Sequence, residues 1–278
     1  MADRDRLASP VTAPGAADRG SVAVRVAATG AALGVLVGAA LVTLTVVAGP
    51  GPGLTGYVSE AGVADSGSAW TYRIGVFALA TALLLLAAAL HPRPLRPGPT
   101  PRRDHMARRD RTPCRDRTAR RDHTARRDQA LWRGEDRLRL VAVWRSGYGL
   151  RVAALLLVAS GLATVLSGAV TCSAGCPLPP FERATVADLV HGGASIAATA
   201  AVVFAMIAVT LTPAAGHTLR RTAATATVLA LPLAGAVGLS MLFVGRGSLV
   251  GVLERLLLAV AAGWGLATAA TLARRHPH

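Results

Sequence analysis

Six long apolar segments dominate the sequence and restrict what the chain can fold into. They lie at about residues 26–48, 71–90, 149–170, 187–212, 222–244 and 249–272. Each approaches or exceeds the roughly 20 residues that a helix needs to cross a hydrocarbon core of about 30 Å. None alternates apolar and polar residues with a period of two, and in lipid only a helix or a closed barrel satisfies its own backbone hydrogen bonds. The sequence therefore predicts an all-α, polytopic bundle of six transmembrane helices.

Arginine is distributed unevenly among the connections of these spans. The formal net charge is +15, and 17 of the 30 basic residues fall between Arg93 and Arg145, in the connection between spans 2 and 3. Further arginines precede span 1, separate spans 4 and 5 and end the chain, whereas the alternate connections hold few. Because cytoplasmic loops carry an excess of basic residues, this distribution predicts that both termini are cytoplasmic.

Polar segments divide the rest of the chain. Residues 1–22 hold no apolar run and are predicted to be a disordered cytoplasmic N-terminus, and residues 274–278 form a cytoplasmic tail. The six-span domain, residues 23–273, is interrupted by an arginine-rich cytoplasmic loop at 91–147, which contains hexapeptide repeats at 102–130. Units such as RRDHMA and RRDHTA have almost no apolar content, so this loop cannot bury a core and is predicted to be disordered.

The composition of the basic loop limits its partners. Arginines near a membrane surface are attracted to anionic lipid headgroups by about 1 kcal/mol each. Specific nucleic-acid binding is not expected, because an Asp in each unit cancels part of the charge and aromatic residues for base stacking are absent. Membrane lipids are therefore the predicted partners, and a repeat expansion without function is the alternative. No sequence feature indicates an oligomeric state.

Span 1 carries Gly30, Gly34 and Gly38 at four-residue intervals. This G-x-x-x-G pattern predicts a face on which another helix can approach closely. Packing within the chain is favoured over a homodimer face, because five other helices need a neighbour. Span 3 repeats the spacing with small residues from Ser160 to Gly168, which makes it a plausible partner.

Ionisable side chains gather at the predicted outer ends of spans 2, 4 and 6. The candidate polar cluster consists of Ser59, Glu60, Arg73, Asp188, His191, Glu254 and Arg255. One interpretation is an outward-open pocket in which Arg73 or Arg255 pairs with an acidic residue and His191 carries a proton or binds a ligand. The other, which is favoured here, is a structural salt-bridge network that fixes helix register. One His beside one Asp provides too few ligands to predict a metal site.

Two cysteines, Cys172 and Cys176, lie in the predicted outer connection between spans 3 and 4, where conditions oxidise thiols. A short disulfide between them is a candidate, and two free thiols are the alternative. The third cysteine, Cys114, lies in the arginine repeat on the predicted cytoplasmic side.

Three short motifs resemble a known family. They are Y-V-S-E-A-G from Tyr57, T-V-A-D-L-V-H-G from Thr185 and G-x-x-E-R from Gly251. Together with the six-span layout, they resemble the bacterial membrane proteins catalogued as domain of unknown function 998, over about residues 26–90 and 148–273. The arginine repeat looks like an insertion into that pattern. The resemblance implies the six-helix fold, a bacterial plasma membrane and no assigned activity, with these candidate positions: Ser59, His191, Glu254 and Arg255.

The sequence has no P-loop, no G-x-S-x-G elbow and no H-E-x-x-H. The favoured function is a non-enzymatic membrane component, which is either a carrier of small solutes or lipids or an envelope scaffold, with no cofactor. The alternative is an outward-facing membrane enzyme. That function would require the following side chains to converge around a cavity: Asp188, His191, Glu254 and Arg255.

A membrane-impermeant maleimide tests the predicted orientation. In a chain with Cys172→Ser and Cys176→Ser, Cys114 is the single remaining thiol. We expect it to react only after the cells are opened, because the loop that carries it is predicted to be cytoplasmic. Labelling is measured as a mass shift of the purified protein, and labelling in sealed cells would contradict the orientation.

Overall fold

A computed structural model of the chain describes residues 16–48, 56–91, 148–177, 179 and 181–274. The arginine-rich loop with its hexapeptide repeats and Cys114, and most of the predicted N-terminal segment, lie outside these residues. The predictions made for those segments therefore remain predictions.

The described part of the chain is helical and contains no strand. Its six long helices are α1 (Ala16–Ala48), α2 (Ala69–Leu90), α3 (Tyr148–Ala169), α4 (Val186–Leu211), α5 (His217–Phe243) and α6 (Ser248–Ala273). Each is long and apolar enough to cross a membrane, which confirms the predicted six-span, all-α class. Two short 3₁₀ helices, Val58–Gly62 and Pro213–Ala215, lie in the α1–α2 and α4–α5 connections.

Helix α1 is longer than the apolar run that predicted it. It begins at Ala16, within the stretch assigned to a disordered N-terminus, whereas the apolar run begins near residue 26. The difference has a simple cause, because polar residues can continue a helix beyond the hydrocarbon region, where water satisfies their side chains. The apolar run marks the membrane-crossing part of a helix and not its full length.

The helices form a closed ring in chain order. Each helix packs against the next one, and α6 returns to pack against α1. The largest buried cluster contains residues from all six helices, with Leu86, Leu157, Met206 and Leu219 among its fully buried side chains. The outer surface remains apolar, as exposed residues such as Leu155, Val228 and Phe243 show. An apolar surface of this extent is stable in lipid and would associate in water.

The glycines of α1 pack against α2. A Cβ added at Gly34 would lie 3.0 Å from Ala82 Cβ, and one added at Gly38 would lie 2.7 Å from the Gly75 carbonyl oxygen. Gly30 similarly faces Leu85. The close partner of the glycine face is thus α2 and not α3, the helix named as plausible from sequence. The reason is that α2 has small residues directly opposite the glycines of α1. Helix α3 packs its own glycines against α2 as well, through a different set of α2 residues.

A glycine comparison tests this interface. Gly38→Ala should destabilise the protein by about 1–3 kcal/mol, because the new methyl group would overlap backbone atoms that cannot move away easily. Gly263→Ala in α6 is the matched control, since nothing lies within 4 Å of its added Cβ. We expect that control to be neutral or up to about 1 kcal/mol more stable. Thermal unfolding in detergent measures both, and equal effects would contradict the close α1–α2 contact.

Candidate functional site

Most of the candidate polar residues lie at one end of the ring, formed by the α1–α2, α3–α4 and α5–α6 connections and called the rim below. Two adjacent residues of α6 hold the α1–α2 connection there. The Val58 N–H donates to Glu254 Oε2 at 3.0 Å, and Arg255 Nη1 donates to the Gly56 carbonyl at 3.1 Å. The same guanidinium nitrogen also donates to the Gly251 carbonyl at 2.6 Å. Glu254 and Arg255 therefore fix the 3₁₀ turn Val58–Gly62 onto α6.

An ion pair joins this turn to the α5–α6 connection. Arg246 donates from Nε and Nη2 to the two carboxylate oxygens of Glu60, at 2.7 and 2.5 Å. Glu60 Oε1 also accepts from the Tyr57 N–H at 3.0 Å. The Glu60 side chain is only 7% exposed, and these donors replace the water that burial removes. The hydrogen bonds that Arg246 donates to Glu60 raise the pKa of the guanidinium, since they stabilise its charged form. Burial, followed by the negative charge of Glu254, raises the pKa of the Tyr57 hydroxyl.

Asp188 ties the α3–α4 connection to the first turn of α4. Its carboxylate accepts from the backbone N–H and the hydroxyl of both Ser173 and Thr185, at 2.7–3.0 Å. Thr185 in turn accepts from the Asp188 N–H, which completes a capping box at the start of the helix. Asp188 is almost fully buried with its acceptor capacity in use, so its observed role is structural.

His191 lies one turn further along α4 and is also buried. Its Nδ1 lies 2.8 Å from the carbonyl oxygens of both Ser167 and Val170 at the end of α3. Carbonyl oxygens only accept hydrogen bonds, so Nδ1 carries the proton. The other ring nitrogen, Nε2, is buried and has no hydrogen-bond partner in the described part of the chain.

The two cysteines of the α3–α4 connection lie beside this histidine. The structure joins Cys172 and Cys176 as a disulfide, with Cα atoms 5.0 Å apart. Both residues are buried, and they pack with Tyr57 and Val250. The Ser59 hydroxyl donates to the Cys176 sulfur at 3.5 Å, which brings the Ser59 motif to the cysteines.

Within the rim, the residues of the predicted polar cluster fall into two groups. Glu60, Glu254 and Arg255 organise the α1–α2 connection, whereas Asp188 and His191 organise the α3–α4 connection. In the described residues, no hydrogen bond or ion pair links Asp188 or His191 to Glu254. Hydroxyl and backbone donors of Ser173 and Thr185 occupy the Asp188 carboxylate, and the pairing of Arg73 or Arg255 with an acidic residue stays a prediction. Arg73 joins neither group, and its Nε is buried without a partner among the described residues.

A large apolar cavity lies between five of the six helices and is partly open. Its volume is about 700 Å³. The lining comes from α1, α2, α3, α4 and α6, together with Val58 of the 3₁₀ turn. Arg255 is the one charged residue among the described residues that line it. On α6 the lining runs from Arg255 to Gly265, which corresponds to about 15 Å of helix.

Polar groups of the cavity wall are few and mostly satisfied. The hydroxyls of Ser160, Thr164 and Thr199 donate to backbone carbonyls of α3 or α4 at 2.8–3.0 Å. Trp264 differs, because its indole N–H is buried and has no partner in the part of the chain that is described. A buried tryptophan N–H ordinarily finds an acceptor. The described lining of the cavity therefore combines an apolar surface with one positive charge.

Sequence reasoning missed several of these groups. The sequence patterns do not identify Arg246, Trp264 or Ser173. The spacing T-x-x-D at Thr185 to Asp188 is a signal that could have predicted the cap. The other contacts join residues far apart in the chain, and no local pattern indicates them.

Comparison with known proteins supports the family resemblance. Residues 138–271 match the model of the family described as "Protein of unknown function (DUF998)". The match includes the α4 and α6 motifs with His191, Glu254 and Arg255, whereas the Ser59 motif lies outside it. No curated protein and no solved structure matches the chain. The comparison therefore supports a family and names no activity.

The Glu60–Arg246 pair gives a test of how the rim is held together. Glu60→Gln should destabilise the protein by about 1–2 kcal/mol, because Arg246 would lose its charged acceptor while remaining partly screened by solvent. Asp65→Asn is the matched control, since Asp65 is exposed in the same connection. Unfolding is followed in detergent, and Arg246→Gln should add little to Glu60→Gln if the two act as a pair. Additive effects would show that the pair is not coupled.

Proposed function

We propose that this membrane protein binds and carries an amphiphile, a molecule with an apolar body and an acidic headgroup. The observation that carries the proposal is the cavity of about 700 Å³ with Arg255 as its one charged lining residue. Small-molecule sites commonly measure about 300–1,000 Å³ and combine an apolar lining with a few polar groups. The cavity has both properties.

The cavity is partly open, because lining residues such as Val47 and Leu258 are exposed. Most of its surface is apolar, and contact of apolar surface with water is unfavourable. An apolar occupant removes that contact, and a membrane supplies such molecules.

The polar groups of the wall favour an occupant with a head and a tail. Arg255 brings a positive charge to the rim end of the lining, where an acidic headgroup would be stabilised. Trp264, which also lines the cavity, lies nine residues further along α6, about 14 Å deeper. Aliphatic and alanine side chains form most of the surface between them.

The enzyme alternative has less support. It requires a general acid or base beside the substrate, yet the Asp188 carboxylate is fully engaged in capping α4. His191 and Asp188 also line no part of the cavity described above. A binding and carrying role needs only the cavity and its rim. Three predictions from the sequence belong to this proposal. They are the cytoplasmic orientation of both termini, the plasma-membrane location and the attraction of the arginine-rich loop to anionic lipids.

Two adjacent alanines of α1 provide the test. Ala39 lines the cavity, whereas Ala40 is exposed on the outside of the ring. Ala39→Phe should fill part of the space and lower the amount of co-purified amphiphile by about ten-fold or more. Ala40→Phe should leave it unchanged. The protein is purified in detergent, and the bound molecules are extracted and counted by mass spectrometry.

A third variant tests the headgroup. Arg255→Gln should shift the bound molecules from acidic to neutral amphiphiles, because the positive charge is removed while hydrogen-bond donors remain. Equal amounts of the same bound molecules in all three variants would contradict the proposal, as would a wild-type protein that retains no amphiphile.

A further inference from the structure

The cluster formed by Cys172, Cys176 and His191 is separate from the cavity and has the composition of a metal site. The two sulfur atoms and a ring nitrogen of His191 lie within 4.8 Å of one another, and all three residues are buried. The cysteines are separated by three residues, a spacing found in structural zinc sites. This chemistry is independent of the proposed amphiphile.

The histidine is oriented as a ligand. Its Nδ1–H is held by the carbonyls of Ser167 and Val170, which fixes the tautomer and leaves a lone pair on Nε2. Nε2 is without a hydrogen-bond partner in the described residues, although His191 is only 5% exposed. A backbone carbonyl on the far nitrogen is the usual way that proteins orient a metal-binding histidine. The unpartnered nitrogen therefore indicates a ligand independently of the proximity of the two cysteines.

The surroundings hold the cysteine loop against the histidine. Asp188 binds the N–H and hydroxyl of Ser173, the residue directly after Cys172, from a position one turn before His191 on α4. The loop closes with the Cys176 N–H donating to the Ser173 carbonyl at 2.9 Å. The Ser59 hydroxyl contacts the Cys176 sulfur from the other side.

We propose that reduction of the Cys172–Cys176 disulfide converts this cluster into a Zn²⁺ site with two thiolates and His191 Nε2 as ligands. A dithiol reductant supplies two electrons and two protons by thiol–disulfide exchange, which leaves two thiols here and a disulfide in the reductant. Zn²⁺ then replaces the two thiol protons, which pass to solvent, and accepts an electron pair from each of the three ligands.

The ligand set favours zinc among the divalent cations. Thiolate and imidazole ligands suit Zn²⁺, whereas Mg²⁺ and Ca²⁺ require oxygen ligands. Zn–S and Zn–N distances are about 2.3 and 2.0 Å, and the two sulfur atoms and a ring nitrogen of His191 lie within 4.8 Å of one another. Three protein ligands leave a fourth position, and the Ser59 hydroxyl or a water beside it is placed to occupy that position.

Metal binding by the full chain in detergent tests the proposal. After reduction with a dithiol and removal of the reductant, equilibrium dialysis against Zn²⁺ and metal analysis should find about one Zn²⁺ per chain. The oxidised protein should bind none at the same free Zn²⁺ concentration. With Co²⁺ as a probe, the reduced wild-type protein should show thiolate-to-metal charge-transfer absorption, a readout that does not depend on any variant.

Matched variants identify the ligands. His191→Ala removes one of three ligands and should weaken Zn²⁺ binding by at least about ten-fold. Mutation of a residue that only hydrogen-bonds to a metal ligand already lowers metal affinity by about that factor. Cys172→Ser with Cys176→Ser should abolish binding. Cys114→Ser and His217→Ala, which replace a cysteine of the repeat and an exposed histidine, should bind as wild type. Circular dichroism confirms that each variant retains its helices.

Four results would overturn the inference. They are a reduced wild-type protein that binds no Zn²⁺, equal binding by the oxidised protein, His191→Ala binding as tightly as wild type, and loss of binding in Cys114→Ser.

Discussion

The need to satisfy every backbone hydrogen bond inside lipid is the constraint from which this structure follows. Each apolar run can cross the membrane only as a helix that closes its own hydrogen bonds. Helices of similar apolar character gain little from hiding apolar surface from one another in lipid, so their association depends on close packing. The contact of Gly38 with Gly75 and Leu79 supplies that packing between α1 and α2. The remaining helices continue the ring in chain order.

The ring of six helices leaves space between its helices. The polar groups around that space are arranged according to the free-energy cost of removing them from water. The buried carboxylates lie at the rim, where desolvation is incomplete and loop backbone offers partners. Glu60, Asp188 and Glu254 are each bound by defined donors. Trp264 Nε1 and His191 Nε2 are buried polar atoms without such partners in the described chain. Buried polar groups are ordinarily satisfied, and of these two atoms His191 Nε2 belongs to the residue that also lies beside two cysteines, where the proposed Zn²⁺ would bind.

Sequence reasoning predicted what depends on local pattern. The apolar runs predicted six helices, and the spacing of Gly30, Gly34 and Gly38 predicted a close helix contact. It could not identify the partner helix, since several spans carry small residues. Contacts such as Glu60 with Arg246 join residues 186 positions apart, and their formation depends on how the loops meet after the helices have packed. The cavity was equally inaccessible to sequence, because it is a space between five helices that no single segment encodes.

The 3₁₀ turn Val58–Gly62 explains how separate polar groups form one rim. Val58 lines the cavity and binds Glu254, while the next residue, Ser59, contacts Cys176. Glu60 then binds Arg246 of the α5–α6 connection. Successive residues of one turn thus contact α6, the α3–α4 connection and the α5–α6 connection. Three consecutive side chains of a tight turn point in different directions, so a short segment can join elements that do not otherwise meet. The resemblance that singled out Ser59 therefore marked a junction, whose importance lies in the elements it connects and not in one reactive group.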